Sequence, residues 1–264
     1  MFISKKICFL QLEKTGISSI NKFLKDHIKD GETTQPHDYV TEDLIKKKLF
    51  FIGSIRNPYD WYISRWSYGC MMKNEDSMYK NLVNKRLSYS RIENIKGKYL
   101  KKFTYLKMQI FKNSKFWSEL YSDPYNAKNF QKWLKAILGS NKKNELAEQY
   151  YFSSFGKNLG YMTFRYLIMF TNPNNRNQIF NNLNSYNDIK NFDKEFNFIN
   201  YFIKVENLYA DLNKLFKTLN LNIENDLEKI NTSNRNKEIN YYYDDDCKEI
   251  VKQNEKFLFE KYNY

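Results

Sequence analysis

An α/β fold, with a central parallel sheet flanked by helices and a mostly helical insertion at about 71–155, is what this chain of 264 residues predicts. Three observations carry that reading. Two segments near the start, 7–20 and 49–64, each run from an apolar strand through a polar turn into a helix. They follow one another as strand, helix, strand, helix, the order that a parallel sheet with crossover helices requires. A third apolar stretch, 196–204, is again followed by helical spacing, at Leu212, Leu215, Phe216 and Leu219.

The first strand covers the run from Lys5 to Leu12 and ends in Glu13-Lys14-Thr15-Gly16. Ser18 is the expected N-cap of a helix whose apolar positions are Ile20, Phe23, Leu24 and Ile28, stopping near Gly31. The stretch from Glu32 to His37 is polar and reads as a loop, before a short helix around 41–48. Leu49 to Ile55 is apolar enough to be buried on both faces. In Arg56-Asn57-Pro58 the proline suits the first turn of a new helix, where its missing N–H costs nothing. From about 71 to 155 there is no strand alternation, only Lys-rich and aromatic helical spacing. A last amphipathic helix uses Ile250, Val251, Phe257 and Leu258. Residues 1–264 read as a single domain of a size that buries a real core.

Hydrophobic residues make up 42% of the chain, which excludes a disordered protein. No apolar run approaches the roughly 18 residues of a membrane span. The opening residues enter a core strand and not a cleavable leader, so a cytoplasmic protein with no transmembrane segment is expected. Three scattered cysteines and two histidines argue against a disulfide framework and against a metal site. Lys and Arg number 43 against 30 Asp and Glu, and a net charge of +13 favours an anionic partner.

The chemistry lies in the two turns. Each brings a cation and hydroxyls to the carboxyl end of a strand, where a helix N-terminus offers free N–H groups, and that combination binds anions. The first turn, Lys14-Thr15-Gly16-Ile17-Ser18-Ser19, lacks the glycines of an ATPase phosphate loop. The second offers Arg56, whose planar fork grips a phosphate through two hydrogen bonds, and Ser64 two helical turns beyond Pro58. Arg56 could equally pair with Asp60 on the helix surface.

The ordered set resembles the sulfotransferase family that uses 3′-phosphoadenosine-5′-phosphosulfate (PAPS), in its carbohydrate-sulfating and bacterial branches. In that family the first turn, close to Pro-Lys-Thr-Gly-Gly-Thr-Ser, binds the 5′-phosphosulfate. The second, Arg-(Asp/Asn)-Pro with a serine eight residues after the arginine, binds the 3′-phosphate. The passage Glu206-Asn207-Leu208 after a strand resembles the family's later segment, as do Asn231 to Arg235 and Tyr241 to Asp244. The resemblance touches residues 5–68 and 196–264 and leaves the middle third unmatched. Glu13 stands where proline is usual and Ile17 where a small residue is usual. The Glu13 carboxylate is expected to repel a phosphosulfate unless it points away or pairs with Lys14.

The resemblance implies a nucleotide-kinase-like sulfotransferase fold and transfer of a sulfuryl group from PAPS, without a metal, to a hydroxyl of a glycan or polysaccharide acceptor. It implies that Lys14, Thr15, Gly16, Ser18 and Ser19 hold the 5′ end of PAPS, with Lys14 stabilising charge at the bridging oxygen. Arg56 and Ser64 then clamp the 3′-phosphate, and Ser233 and Arg235 add donor contacts. His37 is the expected general base, since an imidazole titrates near neutrality; Glu32, Asp38 and Glu13 are the fallbacks. His27 reads as a packing residue at the end of the first helix. Arg65, Trp66, Tyr68 and Arg165 are candidates to line the acceptor. Two other classes stay open: a nucleotide kinase or NTPase on a degenerate phosphate loop, and a basic nucleic-acid-binding protein. No nucleic-acid module is recognisable, so nucleic acid is not the expected partner, and the oligomeric state is left open.

Overall fold

The computed structural model describes residues 1–85, 99–139, 142, 145–146, 150, 159–221 and 237–264. Five strands form one sheet: β1 (Phe2–Ile3), β2 (Ile7–Phe9), β3 (Glu32–Thr33), β4 (Phe50–Ile55) and β5 (Tyr201–Lys204), in the order β3-β1-β2-β4-β5. β2, β4 and β5 run parallel, in the register Cys8↔Phe51 and Gly53↔Phe202. β1 pairs antiparallel with both β2 and β3. The sheet is therefore mixed: the expected parallel part covers β2, β4 and β5, and β1 and β3 add antiparallel strands at one side. Its two extra strands have two residues each, and the β3 pair is fully exposed, so neither carries an apolar period that could announce it. A tight turn joins β1 to β2, with Ser4 Oγ accepting from the N–H of Ile7 at 3.1 Å.

Strand alternation divides the core. Ile7, Phe9, Ile52 and Ile203 point to one face, where α1 (Ile17–His27) and α11 (Leu208–Thr218) cover them with Ile20, Phe23, Leu24, Leu212, Leu215 and Phe216. Cys8, Phe51 and Ile55 point to the other face, into a larger core built by α3 (Pro58–Met71), α7 (Ala127–Leu138) and α8 (Tyr161–Phe170). Four fully buried tryptophans, Trp61, Trp66, Trp117 and Trp133, lie there. The remaining helices among the described residues are α2 (Glu42–Lys46), α4 (Ser77–Val83), α5 (Tyr99–Phe111), α6 (Ser114–Leu120), α9 (Arg176–Asn181), α10 (Tyr186–Phe196), α12 (Ile239–Tyr242), α13 (Asp245–Asn254) and α14 (Lys256–Tyr262). None is long and apolar enough to cross a membrane.

Two helix starts bear on the site. Asn57 Oδ1 accepts from the N–H of Tyr59 and Pro58 occupies the first turn of α3, as expected. The cap of α1 is Gly16 in the left-handed conformation, φ 74°, and not Ser18, which lies inside the first turn. The last amphipathic segment is two helices, α13 and α14, broken at Glu255 because that side chain turns into the core.

Candidate functional site

The parallel strands β2, β4 and β5 end side by side, and each carboxyl end delivers one corner of the site. At the first corner two left-handed residues, Lys14 (φ 61°) and Gly16 (φ 74°), flank Thr15 and fold the chain sharply into α1. A glycine suits the second position, since side chains rarely adopt that φ. Thr15 is fully buried, and its hydroxyl lies 2.6 Å from both Leu12 O and Ser54 Oγ. A carbonyl can only accept, so Thr15 donates to Leu12 and receives the Ser54 proton. The Thr15 hydroxyl is thus a pin between the turn and β4, and what this residue can offer a ligand is its backbone. Ser18 is exposed and Ser19 half-buried on the first turn of α1, where N–H groups have no acceptor within the helix.

At the second corner Arg56 donates from Nε and Nη2 to Asp60 Oδ2, at 3.2 and 2.9 Å. Its Nη1 donates to Lys14 O at 3.4 Å. The local pairing with Asp60 and the link to the first corner are both present. Ser64 is half-buried on the second turn of α3. At the third corner Glu206 accepts the N–H of Asn57 at 2.7 Å and the hydroxyl proton of Tyr264 at 3.2 Å. Val205 lies where a Cβ on Gly16 would meet it at 3.5 Å. Ser233 and Arg235 lie outside the described residues.

Lys14 Nζ sits 2.9 Å from the centroid of the Tyr68 ring, whose hydroxyl donates to Glu75. Burial, and then the field of Arg65, push the ammonium down to about 7, against the opposing pull of Asp76 and Glu13. A lysine at its ordinary value keeps its proton to about 10.5 in the unfolded chain, so the folded state binds fewer protons between those limits. The stability penalty of charged Lys14 is full below pH 7 and fades as pH rises toward 10.5. Lys14→Met should accordingly raise the melting temperature more at pH 6 than at pH 9.5; an equal gain at both would contradict this environment for Lys14.

Glu13 does not pair with Lys14. Its two carboxylate oxygens receive Nε and Nη2 of Arg165, 152 residues away, and its carbonyl accepts from Trp61 Nε1 at 2.6 Å. Burial alone would raise its carboxyl, but Arg165, then Arg65 and His37, hold it down at about 2. The charge that threatened an anion site is neutralised from behind. That pairing also takes Arg165 away from the acceptor role, leaving only its Nη1 donating to Tyr39 Oη at 3.0 Å. Arg65 is buried against Asp76 at 2.7 Å, and Trp66 is core, donating to Leu120 O at 3.0 Å; neither is free to line an acceptor.

His37, also left-handed at φ 63°, lies 2.8 Å through Nδ1 from Gln11 O. The carbonyl requires the proton on Nδ1, which leaves Nε2 with a lone pair whenever the ring is neutral. The imidazole is half-buried and near enough to Glu13 to lower its pKa. Glu32 is exposed on β3, whereas Asp38 follows His37 on the same loop. His27 donates to Phe23 O and packs its ring against Phe23 and Phe216, as a structural residue does. Among the described residues no group of three or more His, Cys, Asp or Glu is placed to hold a metal ion.

Sequence reasoning missed Ser54, Tyr39 and Arg176. The signal for Ser54 was a lone hydroxyl in an otherwise apolar strand; Tyr39 and Arg176 carried none. Comparison with protein-family models, with curated proteins and with solved structures finds no match for this chain.

Proposed function

We propose that this protein is a PAPS-dependent sulfotransferase acting on a hydroxyl of a glycan or glycan-like acceptor. The observation that carries the reading is the hydrogen bond from Arg56 to the carbonyl of Lys14, by which two anion-binding corners on neighbouring parallel strands become one site. The donor set fits a nucleotide with phosphate at both ends. A lysine and the start of α1 lie at one corner, and a guanidinium lies at the other.

PAPS, when bound, supplies the sulfuryl group and a phosphate leaving group. Lys14 faces the charge that develops on that leaving group, and an anion beside it returns its proton, so that Lys14 is cationic when it acts. The N–H groups at the start of α1 hold the 5′-phosphate and Arg56 the 3′-phosphate. Arg56 must then share or exchange Asp60, and the carboxylates of Asp60 and Glu206 set a penalty that ligand contacts offset. His37 Nε2 takes the acceptor hydroxyl proton, held in that tautomer by Gln11 O.

Adenosine 3′,5′-bisphosphate tests the reading. At about 100 times its Kd a ligand that binds only the folded state adds about 2.7 kcal/mol of stability, which at this chain length raises Tm by roughly 5–10 °C. Arg56→Ala should weaken that binding by about 10- to 100-fold, the worth of a charge-assisted pair of hydrogen bonds. No shift with the native protein would refute the proposal, and an equal shift in Arg56→Ala would refute the placement of the 3′-phosphate.

A further inference from the structure

Three arginines near the site can be compared at one edge of the guanidinium, formed by Nε and Nη2. In Arg56 that edge holds the Asp60 carboxylate, and in Arg165 it holds both oxygens of Glu13. In Arg176, at the start of α9, both atoms are buried and no described residue accepts from them. Burial weighs against the charge of Arg176, and the Tyr39 hydroxyl supplies the opposing field. The Tyr39 ring covers the guanidinium face, with its centroid 4.8 Å from Cζ, while its hydroxyl accepts from Arg165. Tyr39 is 38% exposed and stands two residues after His37, on the loop that carries the proposed base.

Two parallel buried donors of a cation left unanswered are costly to the free protein, and such costs are retained where a ligand offsets them. Two parallel N–H groups in one plane match the two oxygens of a carboxylate, as Arg165 does with Glu13. We propose that the Nε–Nη2 edge of Arg176 binds a carboxylate of the acceptor, so that the enzyme selects an acidic sugar, a uronic acid residue, over a neutral one. That the carboxylate belongs to a sulfuryl acceptor rests on the function proposed above; that Arg176 binds a carboxylate does not. A carboxylate reaches that edge only if side chains around the guanidinium shift, and Tyr39, stacked on its face and 38% exposed, is one that can move.

The test is calorimetric binding of tetragalacturonate and of its neutral methyl ester to the native protein, Arg176→Met and Arg176→Lys. The native protein should prefer the acid by about 10- to 100-fold. Arg176→Met should bind acid and ester alike, with an unchanged or higher Tm, because two unanswered buried donors have been replaced by an apolar chain. Arg176→Lys keeps the charge without the fork and should retain only part of the preference. Equal binding of acid and ester by the native protein, a preference that survives in Arg176→Met, or a lowered Tm in that variant would each overturn the inference. The adenosine 3′,5′-bisphosphate shift, measured in parallel, should be the same in Arg176→Met as in the native protein. If the native protein shows no such shift but its acid preference vanishes in Arg176→Met, the donor-site reading falls and the carboxylate site stands. The converse pattern removes only the carboxylate site.

Discussion

Lys14→Ala should lower sulfuryl transfer by about 100- to 1,000-fold, the loss seen when one preorganised charge-stabilising donor is removed, while adenosine 3′,5′-bisphosphate still binds. The asymmetry follows from where Lys14 stands. It sits in a strained left-handed turn, stacked on Tyr68 and fenced by Arg65, an environment that keeps it partly neutral until an anion arrives. On the proposed function an anion in the site restores its full charge, where leaving-group charge would grow. Ground-state affinity rests more on Arg56 and on the start of α1, which alanine at position 14 leaves in place. Lys14→Arg should not restore the rate, because a longer, planar fork places its charge and donors differently from a compact ammonium. The measurement is single-turnover transfer at saturating donor, beside bisphosphate binding. A Lys14→Ala variant with native turnover would show that the residue is not part of the chemistry.

Glu255→Ala should destabilise the fold by about 3–5 kcal/mol, the cost of leaving several buried donors without their acceptor, or roughly 10 °C in Tm at this size. Glu255 is fully buried and accepts from the N–H groups of Met162 and Thr163, at 3.0 and 2.9 Å, and from the hydroxyls of Thr163 and Tyr62. Its carboxyl group stands at the start of α8, the end of a helix that favours negative charge. Burial pushes its carboxyl up and the hydrogen bonds from Thr163, Tyr62 and Met162 pull it back. Truncation leaves four donors unanswered in the core. Gly160 belongs to the same arrangement, since a Cβ there would lie 1.8 Å from Glu255 Oε1. Gly160→Ala should therefore also destabilise, and in combination with Glu255→Ala the two losses should sum to less than their total, because the clash partner is gone. Urea unfolding at constant m reads all three. A loss below 1 kcal/mol for Glu255→Ala would contradict this anchoring. The consequence reaches the site, because α8 carries the Arg165 that neutralises Glu13 beside Lys14.

Much of the frame was legible in the residues. The apolar runs at Ile7 and Leu49, the proline after Asn57 and the spacing from Leu212 each specify an element through interactions within a few residues of one another, and the elements formed where expected. The short pairs Phe2–Ile3 and Glu32–Thr33 were invisible, because a two-residue strand has no period and gains its place only from a neighbour. The N-cap of α1 was misread because Ser18 is the better capping residue in isolation. The chain must instead reverse between β2 and α1, and the left-handed Gly16 does that two residues earlier. At the site, Lys14 and Arg56 could be singled out from turn chemistry, and their elements bring them together.

The order of strands and helices, and the delivery of a cation to two successive strand ends, are written in the sequence by itself, since hydrophobic period and turn chemistry act over a few residues. Which charge answers which is decided only by the tertiary structure. Glu13 finds Arg165 and not its neighbour Lys14, Thr15 spends its hydroxyl on Ser54, and the donor edge of Arg176 is left without an acceptor among the described residues. The reason is physical: an ion pair or a buried hydrogen bond needs atoms within about 3 Å in low-dielectric surroundings, and only the folded chain determines which distant side chains meet there.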